Sequence, residues 1–190
     1  MKIGIINGSI RAERNTEPVA KYAYDIASQR DGDVTYEYVD LGAFNVPLLT
    51  TSVHPMMANK DYDDANVQAW SDTIDALDGF VFVTPEYNHG VPGGFKNAVD
   101  TLGPEWVGKP VSFIGHGSVG GVRAIEQWRQ ILANFSMPMT RAELNFNLFF
   151  DWADGEFAPA ERHPAEIQAM LDELEGLVAK NRETVGADRS

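Results

Sequence analysis

The chain has 190 residues, 44% of them hydrophobic, a formal net charge of -13 and no cysteine. That length and apolar content allow one substantial core without disulfides or metals, and the lack of cysteine excludes disulfide scaffolding, thiolate nucleophiles and thiolate metal sites. Any redox chemistry must then use a bound cofactor. The charge disfavours a nucleic-acid or anionic-membrane surface. The opening Met1-Lys2-Ile3-Gly4-Ile5-Ile6-Asn7-Gly8 is too short for a signal peptide or a membrane span. The expectation is a soluble cytoplasmic protein, one domain over residues 1–190, with no membrane insertion.

Taken in chain order, short apolar runs alternate with segments of helical spacing. Ile3–Ile6 predicts a first strand, and Val19, Ala20, Ala23, Ile26 and Ala27 give one apolar stripe on a helix beginning near Thr16. Val34–Val39 predicts the second strand. An irregular stretch from Gly42 to Asp64 follows, rich in Pro, Thr, Ser, Met and Asn, and reads as a loop, mobile or covered by a partner. Trp70, Ile74 and Leu77 mark the next helix, Phe80–Thr84 the third strand, and Ala98, Val99 and Leu102 a short helix. Val111–Gly115 is the fourth strand, and the helix after it carries Val122, Ile125, Trp128, Arg129 and Leu132. A fifth strand spans roughly Met137–Leu144. The aromatic-rich segment 145–164 could cover the sheet edge, form a subunit interface or line a pocket. The closing helix is the clearest, with Ile167, Met170, Leu171, Leu174, Leu177 and Val178 at threes and fours. This alternation predicts an α/β fold with a parallel sheet between helices.

Three loops carry the chemistry. After the first strand, Gly8, Ser9, Arg11, Asn15 and Thr16 offer a tight turn, hydroxyl donors, a guanidinium and the exposed amides of a helix start, a set suited to a phosphate monoester. Plain N-capping by Asn15 or Thr16, with Arg11 solvated, is the competing reading. No Walker-type phosphate loop is present. After the third strand comes Pro85-Glu86-Tyr87-Asn88-His89-Gly90-Val91-Pro92-Gly93-Gly94. Tyr87 supplies a flat amphipathic ring and Asn88 both donates and accepts, which suits a planar heteroaromatic ligand. Glu86 is either a catalytic carboxylate or a partner of Arg123, and His89 either moves protons or shapes the loop. After the fourth strand, Gly115 to Gly120 makes a literal G-x-G-x-x-G, but it does not open a dinucleotide-binding unit. Its glycines either let backbone amides and a carbonyl approach a ring held by the second loop or serve only to turn the chain. A doubly wound sheet of order 2-1-3-4-5 brings these three strand ends together. One phosphate loop and two ring loops point to flavin mononucleotide (FMN).

These motifs, over about residues 1 to 145, resemble the NADPH-dependent FMN reductase family, a flavodoxin-like group that contains many quinone, azo-dye and chromate reductases. Gly8-Ser9-Ile10-Arg11 is similar to the family's phosphate loop. Thr84–Asn88 with Pro92–Asp100 matches its strongest signature, and Gly117–Arg123 its third flavin loop. The resemblance implies a three-layer flavodoxin-like sandwich with a five-stranded parallel sheet. It implies that Ser9, Arg11, Asn15 and Thr16 hold the FMN phosphate, that Pro85, Glu86, Tyr87, Asn88 and His89 border the ring, and that Gly117, Ser118 and Gly120 approach it. Many relatives carry serine and asparagine where this chain has Arg14-Asn15-Thr16. The family also implies a homodimer or homotetramer, with the helix carrying Ala98, Val99 and Leu102 and the 42–64 segment as contact surfaces.

The activity so implied is hydride transfer from NADPH or NADH to FMN, followed by reduction of a quinone, azo compound, free flavin or similar small electron acceptor in a ping-pong cycle. Arg14, Lys109 and Arg123 are the cations considered for a nicotinamide 2′-phosphate. No protein nucleophile is required, and the histidines lack metal-binding spacing. Two other readings remain, a flavodoxin-like electron carrier serving a protein partner and a flavin-binding regulatory or interaction protein.

Overall fold

The computed structural model describes residues 1–187. Five parallel strands, β1 (Lys2–Asn7), β2 (Thr35–Asp40), β3 (Gly79–Pro85), β4 (Val111–Gly117) and β5 (Met139–Asn147), form one sheet of order β2-β1-β3-β4-β5. The two central strands β3 and β4 are buried at every position, as continuous apolar runs covered on both faces must be. The remaining elements are α1 (Thr16–Ser28), α2 (Leu41–Phe44), α3 (Ala65–Asp75), α4 (Gly93–Asp100), α5 (Val122–Ala133), α6 (His163–Ala187) and a hairpin of β6 (Trp152–Ala153) and β7 (Glu156–Phe157).

Strand alternation splits the apolar side chains between two cores. One holds Phe80, Phe82 and Phe113 against Trp70, Phe95, Ala98, Ile125 and Trp128 of α3, α4 and α5. The other packs Ile3, Ile5, Val81, Val83 and Ile114 against Val19 and Ala23 of α1 and Ile167, Met170 and Leu174 of α6. The expected three-layer, flavodoxin-like architecture and strand order are therefore present. The apolar stripes are narrower than expected in three places. Val122, the first residue of α5, is 41% exposed, and Ile26 and Leu177 are only partly buried.

The two irregular segments acquire definite anchors. Between residues 42 and 64 there is a 3-10 turn, Pro55–Met57, and two tethers to the core. Asn97 donates to the Pro47 carbonyl and accepts from the Leu49 amide. The fully buried Glu105 accepts from the Tyr62 and Ser71 hydroxyls and the Gly103 amide, so its oxygens are satisfied by neutral donors. In the aromatic segment, Trp152 and Phe157 pack on the second core, while Phe149 and Phe150 remain exposed. Among the described residues no helix is long and apolar enough to cross a membrane.

Candidate functional site

The carboxyl ends of β1, β3 and β4 empty into one cavity of about 260 Å³. The loop after β1 turns sharply at Gly8, whose amide donates to the Val83 carbonyl at 2.9 Å. A Cβ there would lie 2.1 Å from the Phe95 ring, so only glycine lets this loop cross α4. Ser9 Oγ and Tyr87 Oη hydrogen-bond at 2.9 Å, joining the first loop to the second. Arg11 is exposed, with its guanidinium 5.8 Å from the Tyr87 ring centroid. Asn15 makes no side-chain cap on α1, which leaves the helix start without that source of satisfaction. The amino end of α1 thus keeps the anion-binding character of an uncapped helix terminus.

In the second loop, Tyr87 and Gly90 pair in both directions at 3.0 and 3.1 Å, closing a two-residue hairpin. Its central residues Asn88 and His89 have φ of 51° and 67°, the left-handed pair that such a turn demands. Glu86 accepts from the Arg123 amide at 3.0 Å and its Nε at 2.7 Å, and Arg123 also contacts His89 Nε2 at 2.9 Å. Of the two roles open to Glu86, the partnership with Arg123 is the one formed. Gln127 accepts from the Val91 amide and donates to the His89 carbonyl. The hairpin is therefore fastened to α5, and His89 faces that helix and solvent.

The third loop is a tight turn in which the Gly120 amide donates to the Gly117 carbonyl at 3.0 Å. Gly120 has φ of 74°, and a Cβ there would meet Asn145 Cβ at 2.7 Å. Asn147 Nδ2 donates to the Ser118 carbonyl at 2.8 Å, and the Leu148 amide to the Gly117 carbonyl at 3.0 Å. The end of β5 thereby supports this loop.

Ser9, Arg11, Asn15, Thr16, Pro85, Glu86, Tyr87, Gly117 and Ser118 all line the cavity. Asn88, His89 and Gly120 do not; the first two are carried toward α5 by the hairpin, and Gly120 is turned onto Asn145. Four lining residues escaped the sequence reading of this site: Glu13, Arg14, His116 and Leu148. Arg14 is occupied with Asp40 and the Ser9 carbonyl. Its Nε and His116 Nδ1 are the two buried side-chain polar atoms without a hydrogen bond among the described residues. Burial pushes His116 down to about 4, opposed by the Phe146 main chain, so its imidazole is neutral at physiological pH.

Of the three cations considered for a 2′-phosphate, Lys109 is removed by geometry. It precedes β4, at the opposite end of the sheet, where its Nζ donates to the Ile74 and Asp75 carbonyls at 2.9 and 3.0 Å. Burial lowers it to about 8. No cluster of three His, Asp or Glu side chains suited to a metal occurs among the described residues.

Residues 1–151 match the model of the NADPH-dependent FMN reductase family. An NAD(P)H-dependent FMN reductase of Nectria sp is 40% identical over 134 residues, covering 69% of this chain and 67% of that protein. A quinone reductase of Pseudomonas putida is 30% identical over 195 aligned positions, covering 95% of this chain and 96% of that one. Among solved structures, a flavoenzyme NAD(P)H:(acceptor) oxidoreductase from Paracoccus denitrificans superposes with a TM-score of 0.70 at 22% identity, covering 95% of this chain and 98% of that one, which supports the shared fold. The family match over most of the chain carries the conclusion that this protein belongs to the NADPH-dependent FMN reductase family.

Proposed function

We propose that the chain acts as one FMN-binding domain and as an NAD(P)H oxidoreductase toward quinones, azo compounds, free flavin or similar small acceptors, by a ping-pong cycle in which donor and acceptor use the same face in turn. Bound FMN would supply the chemistry that the side chains lack, accepting hydride from the nicotinamide and passing electrons to the acceptor. The family's name and the quinone reductase among its relatives support the donor and acceptor classes.

The protein's own part is binding, orientation and electrostatics. Ser9, Arg11, Asn15, Thr16 and the amino end of α1 would hold the phosphate through hydroxyl, guanidinium and amide donors. Pro85, Glu86 and Tyr87, backed by the Asn88-His89 hairpin, would border the ring, with the turn from Gly117 through Ser118 to Gly120 at its edge. Glu86 contributes by fixing the second loop to α5 through Arg123. His89 acts through the shape of the turn rather than by proton transfer. The observation that carries the proposal is the cavity shared by all three loops, which joins an anion-binding end to a wall formed by Tyr87. A homodimer or homotetramer in the cytoplasm completes the reading.

The test is to purify the protein, remove any flavin, titrate FMN, and follow anaerobic bleaching with NADH and with NADPH. Absence of FMN binding would overturn the proposal. Binding without bleaching would reject the reductase activity and favour an electron carrier.

A further inference from the structure

We infer that His116 is a ribityl-binding residue, whose Nε2 accepts a hydrogen bond from a hydroxyl of the FMN side chain; this rests on the flavin reading above. His116 is 5% exposed, lines the cavity, and stacks on Trp152 with centroids 4.7 Å apart. Ile114, two residues earlier on β4, packs in the core formed with Val19 and Ala23 of α1. Period-two alternation therefore puts His116 on the α1 face of the sheet, the face on which Asn15 and Thr16 bring the amino end of α1 to the same cavity.

The two ring nitrogens differ. Nδ1 is sealed without a partner in hydrogen-bonding geometry, and the Phe146 main chain exerts the one opposing pull on the ring's basicity. Phe146 is the register partner of His116 on β5, and Nδ1 is the ring nitrogen nearer the main chain, so the tautomer assigned is the one with hydrogen on Nδ1. Nε2 makes no hydrogen bond among the described residues and, unlike Nδ1, is not sealed. In this tautomer it is an acceptor. A phosphate dianion offers only acceptors, so the donors on FMN are the ribityl hydroxyls and the ring N3–H; the position of His116 on the α1 face, beside the phosphate end of the cavity, selects the hydroxyls.

The test compares wild type with His116→Phe and His116→Gln. Phenylalanine keeps an aromatic ring against Trp152 but has no acceptor, whereas the Gln side-chain oxygen replaces Nε2. Dissociation constants are measured for FMN, riboflavin and lumiflavin, which lacks the ribityl chain. The expected result is a loss of about tenfold for FMN and riboflavin in His116→Phe, recovery in His116→Gln, and no change for lumiflavin. Thermal melts of the apoproteins should show His116→Phe at least as stable as wild type, because a buried unmet polar atom has gone. In wild type carrying nitrogen-15 histidine, the Nε2 resonance should move on adding FMN. Loss confined to FMN would assign His116 to the phosphate and overturn the proposal, as would an unmoved Nε2 resonance or equal FMN affinity in all three proteins. Failure of wild type to bind FMN would instead sink the flavin reading itself.

Discussion

Single residues at this site divide into those with free donors and those that hold a loop. Arg11 is exposed and takes part in no ion pair among the described residues, so Arg11→Ala should leave apoprotein stability unchanged. If Arg11 grips the phosphate, the FMN dissociation constant should rise about 10- to 100-fold, as for loss of a charge-assisted hydrogen bond, and riboflavin affinity should stay the same. An unchanged FMN constant would remove Arg11 from that role. His89 belongs to the second group, with φ of 67° in a two-residue turn. His89→Val should cost about 1–2 kcal/mol in urea unfolding, because a β-branched residue is disfavoured at positive φ. His89→Gly should fold with stability within about 1 kcal/mol of wild type, the relieved strain offsetting the lost Arg123 contact. Equal effects of the two variants would show that the turn is not what His89 supplies. The sequence left Glu86 open between a catalytic carboxylate and a partner of Arg123, and the structure forms the second contact. The outward turn of Asn88 and His89 was not legible in sequence, because it depends on Gln127 and Arg123 of α5, more than 30 positions away.

At the scale of elements, the aromatic segment after β5 is held by one buried latch. Asp151 and His163 are each 1% exposed; His163 Nε2 meets Asp151 Oδ1 at 2.8 Å and its Nδ1 meets Glu166 Oε2 at 2.9 Å. Asp151 also accepts from the Asn147 amide, so it ties the end of β5 to the start of α6. Burial pushes the Asp151 carboxyl up, but hydrogen bonds from the Asn147 amide, His163 and the Ala160 amide outweigh it and hold it below the ordinary 3.8. A depressed folded-state value means that the unfolded chain binds the proton more readily. This contribution to stability is complete above the unfolded value of about 4 and is lost as pH falls through the lowered folded value. Asp151→Asn should therefore cost about 2 kcal/mol at neutral pH and flatten the acid limb of the stability curve. An acid limb as steep as that of wild type would show that Asp151 does not contribute. Sequence pattern could not reveal this latch, since β6 and β7 have two residues each and the contacts span a strand end, a turn and a helix start. The five strands were legible to within a few residues, most plainly β1, β3 and β4, which contain apolar runs buried on both faces. β5 runs on to Asn147 past the apolar stretch because it is an edge strand, with polar Asn145 and Asn147 in its ladder.

For the molecule as a whole, the parallel order β2-β1-β3-β4-β5 turns three ambiguous loops into one site. The loops follow strands that are neighbours in the sheet, and the cavity lies at their common end. Arg14 and His116 lie within the first and third loops that the motifs mark, but no motif shows which of a loop's side chains will turn to the cavity. His116 becomes part of the cavity only because β4 alternation and the Trp152 hairpin put it there. The net charge of -13 does not prevent anion binding at such a site, because the donors are local and the surface field is screened beyond roughly 8 Å at physiological ionic strength. The most direct test of this account is anaerobic titration of the FMN-loaded protein with NADPH and NADH, followed by addition of a quinone. The account predicts stoichiometric loss of the oxidised flavin absorbance on adding the nicotinamide, and its return when the quinone is added. A loaded protein whose flavin absorbance is unchanged by either nicotinamide would contradict it.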